Sequence, residues 1–174
     1  MKKLITLAMG LGLLAGAFAM QAQEKRASPH DTVKAVMNGK AITIEYGRPY
    51  LKGRGFETEL APFGQVWRTG ADEATTLVCE GDLMLGTLHV PAGSYTLFTI
   101  PEAGGWTLIV NKVAKQWGAF KYDEKMDLGR AKMKVAKTAA PVEQFTIALD
   151  AKGTMGTLKM SWANVEASIP VMAH

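Results

Sequence analysis

Between Trp67 and Thr75 a flat apolar ring, a guanidinium, two carboxylates and two hydroxyls fall on one short stretch, Trp67-Arg68-Thr69-Gly70-Ala71-Asp72-Glu73-Ala74-Thr75. An arginine's planar fork matches a carboxylate or phosphate, and a tryptophan offers a face on which a sugar ring or an arginine can stack. The set suits a small anionic or sugar-like ligand. It equally suits a structural role, with Arg68 pairing Asp72 or Glu73 to clamp a loop while Trp67 fills the core. Two long segments without strand pattern add to it. Gly47 to Phe63 carries Arg48, Tyr50, Lys52 and Arg54, and Lys112 to Arg130 carries Trp117, Tyr122, Asp127 and Arg130. Loops of this length inside a compact domain are often functional or independently packed, so both are expected to wall a site. Arg48, Arg54, Trp67, Arg68, Asp72, Glu73 and Trp117 are the candidate ligand-binding residues, expected near one polar cleft.

Glu45, Asp72 and Glu73 could instead supply the two carboxyls of a glycoside hydrolase, which stand about 5 to 10 Å apart with different pKa values. In that alternative a metal-free hydrolase uses Glu73 or Glu45 as general base, with Arg68 steadying developing negative charge. The histidines, His30, His89 and His174, show no HxH or HxxxH spacing. A catalytic zinc needs three protein ligands, so neither a metal nor a cofactor is expected. Ser28, His30 and Asp31 have the residue types of a nucleophilic triad, but contiguous residues rarely reach triad geometry and no G-x-S-x-G elbow accompanies them. Gly53-Arg54-Gly55 and Gly104-Gly105 are too short for a phosphate loop. A third alternative is a structural envelope protein that pairs with a protein partner through exposed strand edges. The sequence names no such partner.

The elements that would position these groups are strands. Val33–Met37, Asn38-Gly39 and Lys40–Tyr46 read as a hairpin, because Asn-Gly favours the positive φ of a type I′ turn. Ile42, Ile44 and Tyr46 fall on one face of its second strand, Thr43 and Glu45 on the other. Further strands are predicted at 65–69, 74–79, 82–85, 94–100, 106–111, 132–137, 144–149, 157–162 and 166–171, most of them separated by Gly, Pro and Asp turns. Only Glu57–Leu60 looks helical, a single turn stopped by Pro62. The fold expected is all-β, a single antiparallel β-sandwich or jelly-roll-like barrel spanning residues 27–172.

Ahead of that domain, Met1-Lys2-Lys3 and the uncharged run Leu4 to Met20 read as a cleavable signal peptide over residues 1–22, with cleavage after Ala19 or, as favoured here, after Ala22. A retained span needs about 20 apolar residues, and the glycines and alanines make this run weak. No cysteine follows it, which argues against a lipid anchor. A periplasmic or secreted protein with no membrane span after cleavage is expected. Removing Lys2 and Lys3 leaves 18 basic against 16 acidic residues, so nucleic acid is not implied. Cys79 is the one cysteine; no intrachain disulfide can form, and its apolar setting predicts a buried, inert thiol.

The order of Ser28-Pro29-His30-Asp31, Glu45-Tyr46-Gly47-Arg48-Pro49, Val66 to Thr75, Pro91-Ala92-Gly93-Ser94-Tyr95, Trp106 to Lys112 and Gln116-Trp117-Gly118 resembles the secreted bacterial domain of unknown function 2911. The likeness runs from about Ala27 to Val171. Asp72 stands where such proteins often have Asn, which weakens any role needing a neutral amide there. The resemblance implies one domain in a signal-bearing envelope protein of a Gram-negative bacterium. It implies no activity, substrate or cofactor.

Overall fold

A computed structural model describes residues 26–174; the expected signal peptide lies outside the described residues. Among those residues no helix is long and apolar enough to cross a membrane. The hairpin forms as its turn chemistry dictates. Asn38 and Gly39 take φ of 50° and 72°, joining β1 (His30–Met37) to β2 (Lys40–Gly47) in a register that places Met37 opposite Lys40. Ile42, Ile44 and Tyr46 are buried and Glu45 is exposed on the other face, as the period of two requires.

Seven further strands follow: β3 (Thr76–Cys79), β4 (Leu83–Leu85), β5 (Leu88–Val90), β6 (Gly93–Ile100), β7 (Trp106–Asn111), β8 (Asp127–Lys152) and β9 (Met155–Ala173). They pair antiparallel throughout, in one sheet of order β1-β2-β3-β6-β7-β8-β9-β4-β5. The all-β antiparallel expectation is met, but the sheet is single and does not close into a barrel. Its two ends nevertheless face a common core. Ile42, Ile44 and Leu77 meet Leu83, Leu85, Leu149, Leu158 and Val171 around one small apolar void.

The long strand β8 produces this curl. Its first residues, to Met133, pair with β7, and from Lys134 onward it pairs with β9. Four of the strands expected between Lys132 and Val171 are thus segments of two long ones. The register slips between Lys137 and Thr146, and Ala163 in the facing strand has φ 51°; such irregularities bend a strand without ending it. The strand expected over 65–69 reduces to one bridge between Trp67 and Thr99, because Thr69 turns to φ 58° and leaves the sheet. β5 was not foreseen. The helical turn is a wide one over Phe56–Leu60.

Phe56 points from that turn into an aromatic cluster. It stacks on Trp106 at 5.7 Å and meets Trp162 edge-on at 5.5 Å, while Trp67 stacks on Trp162 at 5.7 Å and meets Phe145 at 5.0 Å. Such pairs contribute about 0.5–1.5 kcal/mol each beyond their burial. Cys79 is buried, its thiol pushed up by desolvation, in keeping with the inert thiol expected.

Candidate functional site

Two polar clefts flank the end of the sheet where β2 runs out at Gly47 and the Trp67–Thr75 segment crosses it. The crossing is a backbone contact. A Cβ at Gly47 would collide with the Ala71 carbonyl, and one at Gly70 would sit 2.8 Å from the Gly47 carbonyl oxygen. Only glycine permits this approach. The turn that follows is strained, with Thr69 at φ 58° and Asp72 at φ 60°. Asp tolerates that region; a β-branched Thr does not, at a cost on the order of 1–3 kcal/mol. Buried hydrogen bonds hold it: Thr69 Oγ1 donates to Thr99 Oγ1 at 3.1 Å, and Thr75 Oγ1 donates to the Thr69 carbonyl at 2.6 Å.

This turn sends neighbouring side chains to different places. Trp67 goes inward, 6 % exposed, into the aromatic cluster, so its rings face other rings and none is free for a ligand. Asp72 and Glu73 fasten the segment Arg26–His30 across the surface. Asp72 accepts from the backbone N–H of Ala27 and of Ser28, each at 3.1 Å, and lies 3.4 Å from His30 Nε2. Glu73 accepts from Arg26 Nη2 at 2.7 Å and Nε at 2.9 Å. Burial pushes both carboxyls up, but these donors outweigh it and hold each below the usual carboxylate range.

Arg68 finds no side-chain partner among the described residues. Neither carboxylate reaches it, its Nε is sealed from solvent with no acceptor, and no other described residue forms a hydrogen bond or ion pair with its guanidinium. Desolvation lowers its pKa and the field of Asp72 only partly offsets that. It lines a cleft of about 440 Å³ with Arg54, Lys52, Tyr50, Gly70, Asp72 and Trp162. Arg54 spends Nε and Nη2 on the carbonyls of Leu51 and Tyr50, at 3.1 and 2.8 Å, which fixes its guanidinium and leaves Nη1 uncommitted. This cationic cleft holds three positive side chains against Asp72, whose oxygens are already occupied.

On the far side of the Arg26–His30 strap lies a second cleft of about 370 Å³, lined by Glu45, Glu73, Thr76, Lys115, Gln116 and Trp117 among others. Behind that lining Asn111, fully buried, ties down the loop that carries Lys115 and Gln116. Its amide Nδ2 donates to Asp127 Oδ1 at 3.0 Å and the Asp123 carbonyl at 3.1 Å, while its Oδ1 accepts from Val113 N and Gln116 Nε2. A backbone bridge from Glu73 to Trp117 ties that loop to the Trp67–Thr75 segment.

The seven candidates therefore do not share one cleft. Arg54, Arg68 and Asp72 line the cationic cleft, while Glu73 and Trp117 line the second with Glu45. Arg48 lines neither; its guanidinium is consumed by Asp31 Oδ2 at 3.0 Å, Thr146 Oγ1 at 2.9 Å and the Phe145 carbonyl at 3.2 Å. Arg68 also stands apart from Glu45 and Glu73, the carboxylates a hydrolase would pair with it. Sequence reasoning did not count Lys52, Lys115, Gln116, Asn111, Arg26 or His30 among the binding candidates, although it placed Lys52 in a wall segment and weighed His30 only as a metal ligand or triad member. Both lysines sit in the two segments marked as site walls, at φ 49° and 58°, and each segment lines one of the two clefts. Among the described residues no cluster of His, Cys, Asp or Glu could hold a metal ion.

Fold and site together define an all-β protein of one antiparallel sheet with two small polar clefts at one end. Such an architecture does not name a chemistry. The chain belongs to the family described as protein of unknown function DUF2911, whose model matches residues 28–171. No curated protein and no solved structure matches it.

Proposed function

We propose that this is an exported binding protein of the bacterial envelope that takes a small anion into the cleft at Arg68. The leader-like start of the chain, with Lys2, Lys3 and an uncharged run to Met20, supports the location. In this reading the curled sheet serves as a β-sandwich scaffold, its two halves joined through β8 and β9, that presents loops at one end.

The observation that carries the anion is the Arg68 guanidinium, which no described residue pairs. A cation taken partly out of water costs free energy unless it is paired, and the nearby carboxylates of Asp72 and Glu73 are engaged by the strap. A carboxylate or phosphate entering the cleft would supply the missing acceptor, with Arg54 and Lys52 adding charge and the Trp162 edge an apolar floor. Cleft size agrees with small-molecule sites, which run from about 300 to 1,000 Å³.

Isothermal titration with citrate, succinate and inorganic phosphate tests this. At least one should bind saturably, and Arg68→Gln should weaken it by about 10- to 100-fold, the worth of a lost charge-assisted pair. Added salt should weaken it too, since part of the attraction is screened. Binding that survives Arg68→Gln unchanged would remove the reading.

A further inference from the structure

We propose that the second cleft, around Trp117, is a separate site for a neutral saccharide. Of the four tryptophans, Trp67, Trp106 and Trp162 are 6 %, 0 % and 1 % exposed and packed among rings. Trp117 alone is half-buried at a cleft wall. The asparagine network and the bridge to Glu73 fix the backbone of that wall, so the loop that carries the indole into the cleft lining need not be ordered on binding.

The polar groups around the ring choose the class of ligand. Glu45, on the solvent face of β2, Thr76 opposite it in register, and Lys115 on the loop make no side-chain hydrogen bond with any described residue. They offer acceptors, a hydroxyl and an ammonium in one small space. Positive and negative side chains also balance here, Arg26 and Lys115 against Glu45 and Glu73, whereas the cationic cleft carries an excess. A charged ligand gains nothing net from such a lining. A sugar ring fits it: its C–H face packs on the indole, and its hydroxyls donate to Glu45 and accept from Lys115 and Thr76 at once.

The site stands on residues other than those of the anion cleft, so each proposal can fail alone. The mature chain would be titrated with cellobiose, maltose and N,N′-diacetylchitobiose while the four tryptophan indole N–H resonances are followed by NMR. At least one disaccharide should shift the Trp117 resonance saturably and leave those of the three core tryptophans in place. Trp117→Ala and Glu45→Gln should each weaken that binding by more than about tenfold, and Arg68→Gln should leave it unchanged. Trp117→Phe, which keeps a ring in the wall, should retain part of the affinity and controls for loss of fold. The proposal is overturned if none of the three sugars gives a saturable shift, if Trp117→Ala binds as wild type does, or if the zwitterion leucine occupies the cleft and the sugars do not.

Discussion

The two clefts lie on either side of one strap, and they solve the problem of exposed polar groups in opposite ways. In the cleft at Trp117, Glu73 is answered by Arg26 of the same chain at 2.7 Å, and the free charges occur in equal numbers. In the cleft at Arg68 the cations outnumber the anions, and the most desolvated of them is answered by nothing among the described residues. The difference arises within five residues of sequence. Thr69 and Asp72 in the left-handed region rotate Arg68 away from Asp72 and Glu73, so the carboxylates serve the strap and the arginine keeps no acceptor among the described residues. Strain at Thr69 and an unmet guanidinium at Arg68 fall side by side, as happens where a fold gives up stability for a site.

The largest effect should come from removing what both clefts rest on. Trp67→Ala takes a fully packed ring from between Trp162 and Phe145 and should cost about 3–5 kcal/mol, read as a fall in the urea midpoint. Both clefts should then lose their ligands together, because the turn carrying Arg68, Asp72 and Glu73 is anchored on that ring. Retention of either binding activity at native-like stability would show that the turn holds itself.

A smaller effect should separate the clefts from each other. Asp72→Ala removes the acceptor of two backbone N–H groups near the surface, which water can partly replace, at about 0.5–1.5 kcal/mol, and frees the strap. Trypsin should then cleave after Arg26 faster than in wild type while the sheet stays folded. Unchanged cleavage would mean that Glu73 and the Arg48 N–H to Pro29 carbonyl bond, 2.7 Å, suffice alone.

The strap also marks the limit of what the sequence made legible. Local chemistry was readable: the Asn38-Gly39 hairpin, the alternating face of β2, the buried thiol of Cys79 and the two loops that became cleft walls. Arg68 and Asp72, four apart, invite a pairing that is a rule of helices, and here the backbone is not helical. The partners that decide the outcome, Arg26 with Glu73 and Ala27 with Asp72, are 47 and 45 residues apart, and no local pattern announces such a bond. Trp67 stayed open between a ligand face and a core ring for a related reason, since a ring that stacks on a sugar and one that stacks on Trp162 look alike in sequence; its burial is that of the core ring. β8 and β9 looked like four strands because turn-type residues at 138–141 and 163–164 bend a strand here without ending it.

Acid should weaken the strap with a predictable sign. The Asp72 and Glu73 carboxyls are held below their usual range in the folded chain, so the stability they add is present above the unfolded-state values, about pH 4. It is lost as pH falls through the lower folded values. Urea midpoints taken from pH 6 down to pH 3 should drop most steeply below about pH 4, and Asp72→Asn should flatten that drop. An equal slope in the variant would place the acid sensitivity elsewhere.

The smallest effect tests the contrast itself. Lys52 in the cationic cleft and Lys115 in the balanced one both adopt left-handed backbone, at φ 49° and 58°, a conformation that asparagine accepts well. Lys52→Asn and Lys115→Asn therefore delete one charge each with the same small backbone consequence, which makes them a matched pair. Both lysines are exposed, and a single exposed charge contributes roughly 0.2–1 kcal/mol. Lys52→Asn should weaken the anion at Arg68 only about two- to fivefold, with an effect that fades in high salt. Lys115→Asn should leave that anion untouched and reduce saccharide binding at Trp117 by a similar factor, through a lost hydrogen bond, with little dependence on salt. If both variants weakened the anion equally, its attraction would come from the overall charge of the protein and not from the cleft, and the distinction between the two sites would collapse.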